Sequence, residues 1–358
     1  MSGLGNVLID IKQWGGNVFK ANGLSGAFNG ASNAEMTATD APNVTECYDL
    51  TSMFYFFGYN LNDTESGMNH FGLQKWDTSN IEKFGSMFQY AKIGIGGIGI
   101  GKWDMSSAVT VDRMFRNMHQ RNESLSVALW DVSGIESFYG LFDRTDFNGD
   151  VSLWTTSSAT DMRYMFSYNV EFDQPVNSFD VSKVLYLNNM FSGATSFNKS
   201  LSLWDTSLVV EMYGMFSGAN SFNQSLSAWD TSSVENMGAM FSGATSFNGS
   251  LSGWNLSSLI SMNDMFRGSS FNNNSISNWN TSNVDSMGHV FRDNTVFNQP
   301  LNWNTASVDY MRQMFYNATV FNQDISGWTV ATVTECTEFS TLSGLDGANK
   351  PNFKNCTE

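Results

Sequence analysis

One place beyond each of a column of aromatic residues the chain carries an acid or an amide: Asp77, Asp104, Asp131, Asp180, Asp205 and Asp230, relaxing to Asn255, Asn280 and Asn304. Carboxylates recurring in this way have two chemical uses. If successive copies stack, neighbouring charges about 5 Å apart repel by roughly 1 kcal/mol even in water. Calcium held between them would relieve that repulsion, because hard cations take oxygen ligands. The other use is local, each Asp accepting hydrogen bonds from the amides of its own turn. The dense Gly-Asp pattern of calcium-binding rolls is missing. The local use is therefore expected, with no cofactor, and calcium stands as the alternative.

Catalytic constellations are thin. His70, His119 and His289 fall in different copies of a repeat, too far apart in a stack to share a metal or a triad. No HExxH occurs, and no Cys–His spacing fits zinc. Gly94-Ile-Gly96-Gly97-Ile-Gly99 is a literal GxGxxG, but Trp103 follows too soon for a dinucleotide-binding βαβ unit. The alternation reads instead as a strand with glycines allowing close approach. The expectation is a protein that is not an enzyme.

What must position these residues is a repeat of 25 residues. Trp154, Phe179, Trp204, Trp229, Trp254, Trp279, Trp303 and Trp328 mark one point of it, at steps of 25 except for a single 24, and Trp76, Trp103 and Trp130 extend the column backward at looser spacing. A fixed period in this range means stacked units, each touching only its neighbours. Within one copy, Leu226-Ser-Ala-Trp229 reads as a short extended segment and Asp230-Thr231-Ser232 as a turn. Val234, Met237, Met240 and Phe241 then take helical spacing. Ser232 with Glu235, like Ser79 with Glu82 and Ser133 with Glu136, fits a capping box. Gly193, Gly218, Gly243 and Gly268 stand where a helix would end in a left-handed residue.

The fold class predicted is an α/β solenoid of the leucine-rich-repeat kind: a right-handed coil of about eleven or twelve turns, short parallel strands on one face and short helices on the other. Residues 1–58 read as entry and capping turns, 59–328 as the repeat, and 329–358 as a C-terminal cap. The copies degrade at 59–75 and 89–102, and the last copy replaces Met-Phe by Phe339-Ser340.

The phrase Trp-Asp-Thr-Ser-x-Val-x-x-Met-x-x-Met-Phe-x-Gly-Ala-x-Ser-Phe-Asn-Gln, carried over about residues 44 to 340, is similar to the BspA-like leucine-rich repeat of bacterial surface proteins. The start, with Trp14-Gly15-Gly16, Ala27-Phe28 and Asp40-Ala41-Pro42, resembles that family's entry turn. The resemblance implies an extracellular or cell-surface, non-enzymatic protein used in adhesion or recognition. It names no ligand.

The Trp column suits a buried corner, since Phe179 replaces Trp in one copy. The position before the aromatic instead varies freely, through Leu153, Ser178, Leu203, Ala228, Gly253, Asn278, Asn302 and Gly327. These eight are the candidate ligand-facing residues, expected on the strand face and meeting a protein or a glycan. Self-assembly into a coat or filament is the alternative. Net charge is −16, from 34 acidic against 18 basic residues with no basic cluster in the sequence, which disfavours nucleic acid and anionic membranes. No stretch approaches the roughly 20 apolar residues of a membrane span, and the start lacks the pattern of a signal peptide. Three cysteines make no disulfide scaffold; Cys336 and Cys356 could pair, leaving Cys47, or all could be thiols.

Overall fold

Apolar residues at i, i+3, i+6 and i+7 suit a helix, yet in the computed structural model Val234, Met237, Met240 and Phe241 lie on none. The structure describes residues 10–21, 23–61, 70–92, 99–118 and 125–358. Among them the α-helix α1, His70–Leu73, is a single turn, and short 3-10 turns occur at Ile100–Lys102, Asn274–Ile276 and Gly347–Asn349. Strands are confined to the start: β1 (Asp10–Ile11) pairs in parallel with β3 (Glu35–Met36), and β2 (Val18–Ala21) with β4 (Asn43–Cys47). An α/β solenoid with a strand and a helix in every copy is therefore incorrect.

Each copy is instead a succession of four-residue turns. In the clearest one, Trp229 N bonds Leu226 O, Val234 N bonds Thr231 O, Met240 N bonds Met237 O, Ser242 N bonds Ala239 O, Ala244 N bonds Phe241 O and Phe247 N bonds Ala244 O, all at 3.1–3.2 Å. A tight turn brings its first and fourth residues together, so the apolar ones among them face the same interior. That produces the three-residue spacing a helix would also produce. Even the segment read as a strand, from Leu226 to Trp229, is such a turn.

Two left-handed residues per copy separate the turn ribbon from a helix. Ala239 and Gly243 have φ of 53° and 68°, and the same pair recurs as Gly214 and Gly218 or Asp264 and Gly268. Gly193, Gly218, Gly243 and Gly268 are thus left-handed, as the sequence implied, though they close turns and not helices. A left-handed residue every fourth place redirects alternate amides out of the ribbon. Met237, Ala239, Phe241 and Gly243 donate to the carbonyls of Ser261, Asn263, Met265 and Arg267 in the next copy, at 2.7–3.1 Å. Half the amides therefore close turns and half join copies, which satisfies the backbone without regular secondary structure. Expected helix starts such as Ser232–Glu235 have no helix to cap.

The chain divides into two compact units, residues 1–181 and 182–358. In the first, single parallel bridges run Asp49–Lys83–Thr110–Ser137–Asp161; in the second they run Tyr186–Glu211–Asn236–Ser261–Ser286–Tyr310–Glu335. Aromatic columns fill each interior. In the second unit Trp204, Trp229, Trp254, Trp279, Trp303 and Trp328 stack with ring centroids 5.9–6.5 Å apart. Phe191, Phe216, Phe241, Phe266, Phe291 and Phe315 do so at 5.5–5.7 Å. In the first unit Phe54, Phe88, Phe115, Phe142 and Phe166 repeat the arrangement. Several buried indoles find acceptors one copy back, as Trp229 Nε1 donates to Leu201 O at 3.0 Å and Trp254 Nε1 to Leu226 O at 2.9 Å, whereas Trp279 Nε1 has no partner among the described residues.

The Phe-Asn-Gln phrase is a side-chain ladder on one edge. Asn198 Oδ1 accepts from Asn223 N and Gln224 Nε2, Asn223 Oδ1 from Asn248 N, Asn248 Oδ1 from Asn272 N, and Asn298 Oδ1 from Asn322 N and Gln323 Nε2. At the C-terminus Cys336 is disulfide-bonded to Cys356, and Phe353 packs edge-on against Phe339, which itself meets Phe315 at the end of the Phe column. Cys47 is a buried free thiol whose pKa burial pushes up, which makes it unreactive in the folded state.

Candidate functional site

The acids beside the aromatic column are turn-makers. Asp77, Asp104, Asp131 and Asp230 each accept from the amide of the Ser two places on, at 2.9–3.2 Å. Asn255, Asn280 and Asn304 hold the same turn through Oδ1. Threonine between them is buried and reaches forward, Thr206 Oγ1 to Asp230 O and Thr231 Oγ1 to Asn255 O. Among the described residues no three Asp, Glu, His or Cys side chains converge as a metal site would require.

Serine hydroxyl and amide hydrogen bonds hold the carboxyls of Asp104, Asp131 and Asp230 below the usual range. A depressed folded pKa adds stability above the ordinary carboxylate pKa, and that contribution disappears as pH falls through the depressed value. Changing these three to Asn, which keeps the Oδ1 acceptor but not the charge, is expected to flatten the acid limb of the stability curve by lowering the neutral melting temperature toward its acid value. Thermal melts from pH 7 to pH 2 read this directly; an unaltered acid limb would show that the turn hydrogen bonds carry no linkage.

The eight positions before the aromatic are all exposed: Leu153 and Ser178 in the first unit, and Leu203, Ala228, Gly253, Asn278, Asn302 and Gly327 in the second. They do not lie on a strand face. Each of seven is the third residue of the turn that the aromatic amide closes, as Trp154 N does on Val151 O and Trp204 N on Leu201 O. Around Asn302 the copy is one residue shorter and this turn is absent, and there Asn302 Nδ2 donates to Asn278 Oδ1 at 2.8 Å. A corner that absorbs a deletion while the Trp beside it stays buried is under no packing constraint. Leu153 and Leu203 are 68% and 74% exposed, and Leu129, in the same register before Trp130, is 79% exposed. Leu129 escaped the sequence reading because the repeat was measured from Trp154 onward, yet its place before Trp130 was the available signal.

The remaining chemistry-bearing residues do not assemble. His289 Nδ1 lies 3.5 Å from Asp264 Oδ2, and burial lowers its pKa. His70 opens α1, while His119 and Gly94-Ile-Gly96-Gly97-Ile98 lie outside the described residues, which resume at Gly99. No helix among the described residues is long and apolar enough to cross a membrane.

Compared with known proteins, residues 22–127, 59–175, 110–207, 160–272 and 255–347 each match one family, described as Mycoplasma protein of unknown function, DUF285. The overlapping matches follow from the repeat. No curated protein and no solved structure matches the chain.

Proposed function

The chain belongs to the DUF285 repeat family, and from that premise we propose that it is a non-catalytic recognition protein of the cell surface or extracellular space, engaging a protein or glycan through its turn corners. The observation that carries the reading is the contrast between two adjacent columns. Beside a tryptophan that is buried in copy after copy stands an exposed position that ranges from Leu to Gly to Asn. Leucines such as Leu153 and Leu203 lie mostly in solvent, and exposed apolar side chains suit a partner surface. The similarity of the repeat phrase to BspA-like surface proteins supports the same reading and its location. Binding of this kind is distributed, with each copy adding a small increment.

The test is capture of glycans and matrix proteins on an array by the full chain, against a variant with Leu129, Leu153 and Leu203 changed to Ser. Selective capture that the variant loses, at unchanged melting temperature, is expected. Capture that the variant retains would move the site off the corners. Ordered assemblies in light scattering without capture would favour a coat-forming protein instead.

A further inference from the structure

We propose that residues 345–358 are an autoinhibitory strap over a docking edge, and that the occupant this edge fits is the opposite end of a second copy of the chain. The direction of the backbone ladder is the starting point. Amides of each copy donate forward, as those of Met311, Gln313, Phe315 and Asn317 do to the carbonyls of Glu335, Thr337, Phe339 and Thr341 at 2.8–3.1 Å. One copy later the corresponding amides belong to Cys336, Glu338, Ser340 and Leu342, and none of them has an acceptor among the described residues. The ribbon there is nevertheless intact. Glu338 and Leu342 keep the left-handed conformation, with φ of 54° and 61°, and Phe339 N and Thr341 N still close their turns on Cys336 O and Glu338 O.

The strap covers this edge without pairing with it. Cys356 is bonded to Cys336, Phe353 packs edge-on against Phe339, and Glu358 accepts from the Ser340 hydroxyl. Cys336 and Ser340 are buried, so their amides are removed from water as well as from any carbonyl. Buried amides left in that state are rare, and each costs the desolvation of a donor that a neighbouring carbonyl would satisfy.

The first copy shows the converse. Gly26, Phe28 and Gly30 donate forward to Thr51, Met53 and Tyr55 at 2.8–3.0 Å, but the carbonyls of Ser25, Ala27 and Asn29, which stand where an earlier copy would donate, accept nothing among the described residues. This edge is accessible: Ser25, Ala27 and Phe28 are half-buried and Asn29 is exposed. Phe28 begins the Phe column against Phe54, at 5.7 Å. Gly26 and Gly30 hold the left-handed positions, with φ of 63° and 77°. The free amides and the free carbonyls therefore share one spacing and one conformation, because they are the two ends of one ladder. Glu338, Ser340 and Leu342 of one molecule register on Ser25, Ala27 and Asn29 of another as Gln313, Phe315 and Asn317 register on Thr337, Phe339 and Thr341 within the chain. An unrelated partner would have to supply carbonyls at that spacing, whereas a second copy already carries them. A contact between unlike ends does not close on itself, so it extends into an open head-to-tail series.

The inference rests on the ladder and is independent of the turn corners. The experiment is sedimentation velocity of the full chain over a range of concentrations, comparing the parent with C336A/F353D/C356A, in which the strap cannot seat, and with C336A/C356A, which retains the Phe353 contact. Hydrogen exchange around Trp229 and across residues 336–342 establishes that each variant is folded, and the double variant supplies the reading if the triple variant loses its last copy. Expected are a monomer for the parent, a weight-average mass that rises more than about threefold with concentration for the triple variant, and a smaller rise for the double variant. The parent has an open acceptor row and a covered donor row, so adding it should shorten the series formed by the triple variant. Parent carrying A27E, which places a charge in the acceptor row, should not shorten it. Folded variants that stay monomeric, a parent that associates as strongly as they do, or a series shortened equally by the parent and by A27E would overturn the proposal.

Discussion

Truncating Trp229 to alanine is expected to remove about 3–5 kcal/mol of stability from the second unit. The indole is buried and stacks between Trp204 and Trp254 at 6.1 and 6.5 Å, so its loss opens a gap in the middle of a column with rings on both sides. It also leaves Leu201 O without the indole donor. A Trp229→Phe variant separates the two contributions. It keeps a ring in the column, as Phe179 does against Trp154 in the first unit, and loses mainly the hydrogen bond, for about 1–2 kcal/mol. Urea denaturation followed by tryptophan fluorescence measures both. Equal losses in the two variants would show that the carbonyl contact outweighs ring packing. In a stack where units contact only their neighbours, the central gap should also broaden the transition, because copies on either side are then coupled less tightly.

The second large effect lies at the C-terminal end. Changing Cys336 and Cys356 to Ser is expected to cost about 3 kcal/mol, the entropy of closing a loop of this length in the unfolded chain. The bridge spans a sequence separation of 20 residues and holds Phe353 against Phe339, which covers the last ring of the Phe column. The loss should therefore be concentrated in the final copy. Hydrogen exchange should accelerate across residues 336–358 and leave the copies around Trp229 protected. Thiol labelling checks the pairing: the folded oxidised chain should be silent, reduction should release the part-exposed Cys356 thiol, and buried Cys336 and Cys47 should react only on unfolding. No change in melting temperature or exchange in the Ser variant would show that the cap is held by packing alone.

The repeat and its interior were legible in the residues. Val234, Met237, Met240 and Phe241 are all core, and the Trp column is buried as its replacement by Phe179 suggested. The conformation of the unit was not legible, because a string of tight turns and a short helix place apolar residues at the same intervals. The distinguishing mark was present but ambiguous. Small or turn-forming residues at two positions four apart, as in Gly214 and Gly218, signal two left-handed residues, whereas a helix end needs one. The stacking of arginine on tyrosine between copies was invisible for another reason. Arg113, Tyr139 and Arg163 are some 25 residues apart in sequence and become neighbours only once the copies stack, so a search for basic clusters along the chain passes over them.

The ladder between copies also bears on how such a chain changes over generations. Amides of one copy meet carbonyls 24 residues on, whatever the side chains, as Ala239 N meets Asn263 O and Asp264 N meets Gly288 O. Duplication or loss of a whole copy by recombination between similar neighbours therefore restores the same backbone pairing at the junction. Copy number can drift by such events without passing through an unfolded intermediate sequence, while exposed corners and ribbon positions diverge one substitution at a time. Reach and surface chemistry are thus inherited as separate traits.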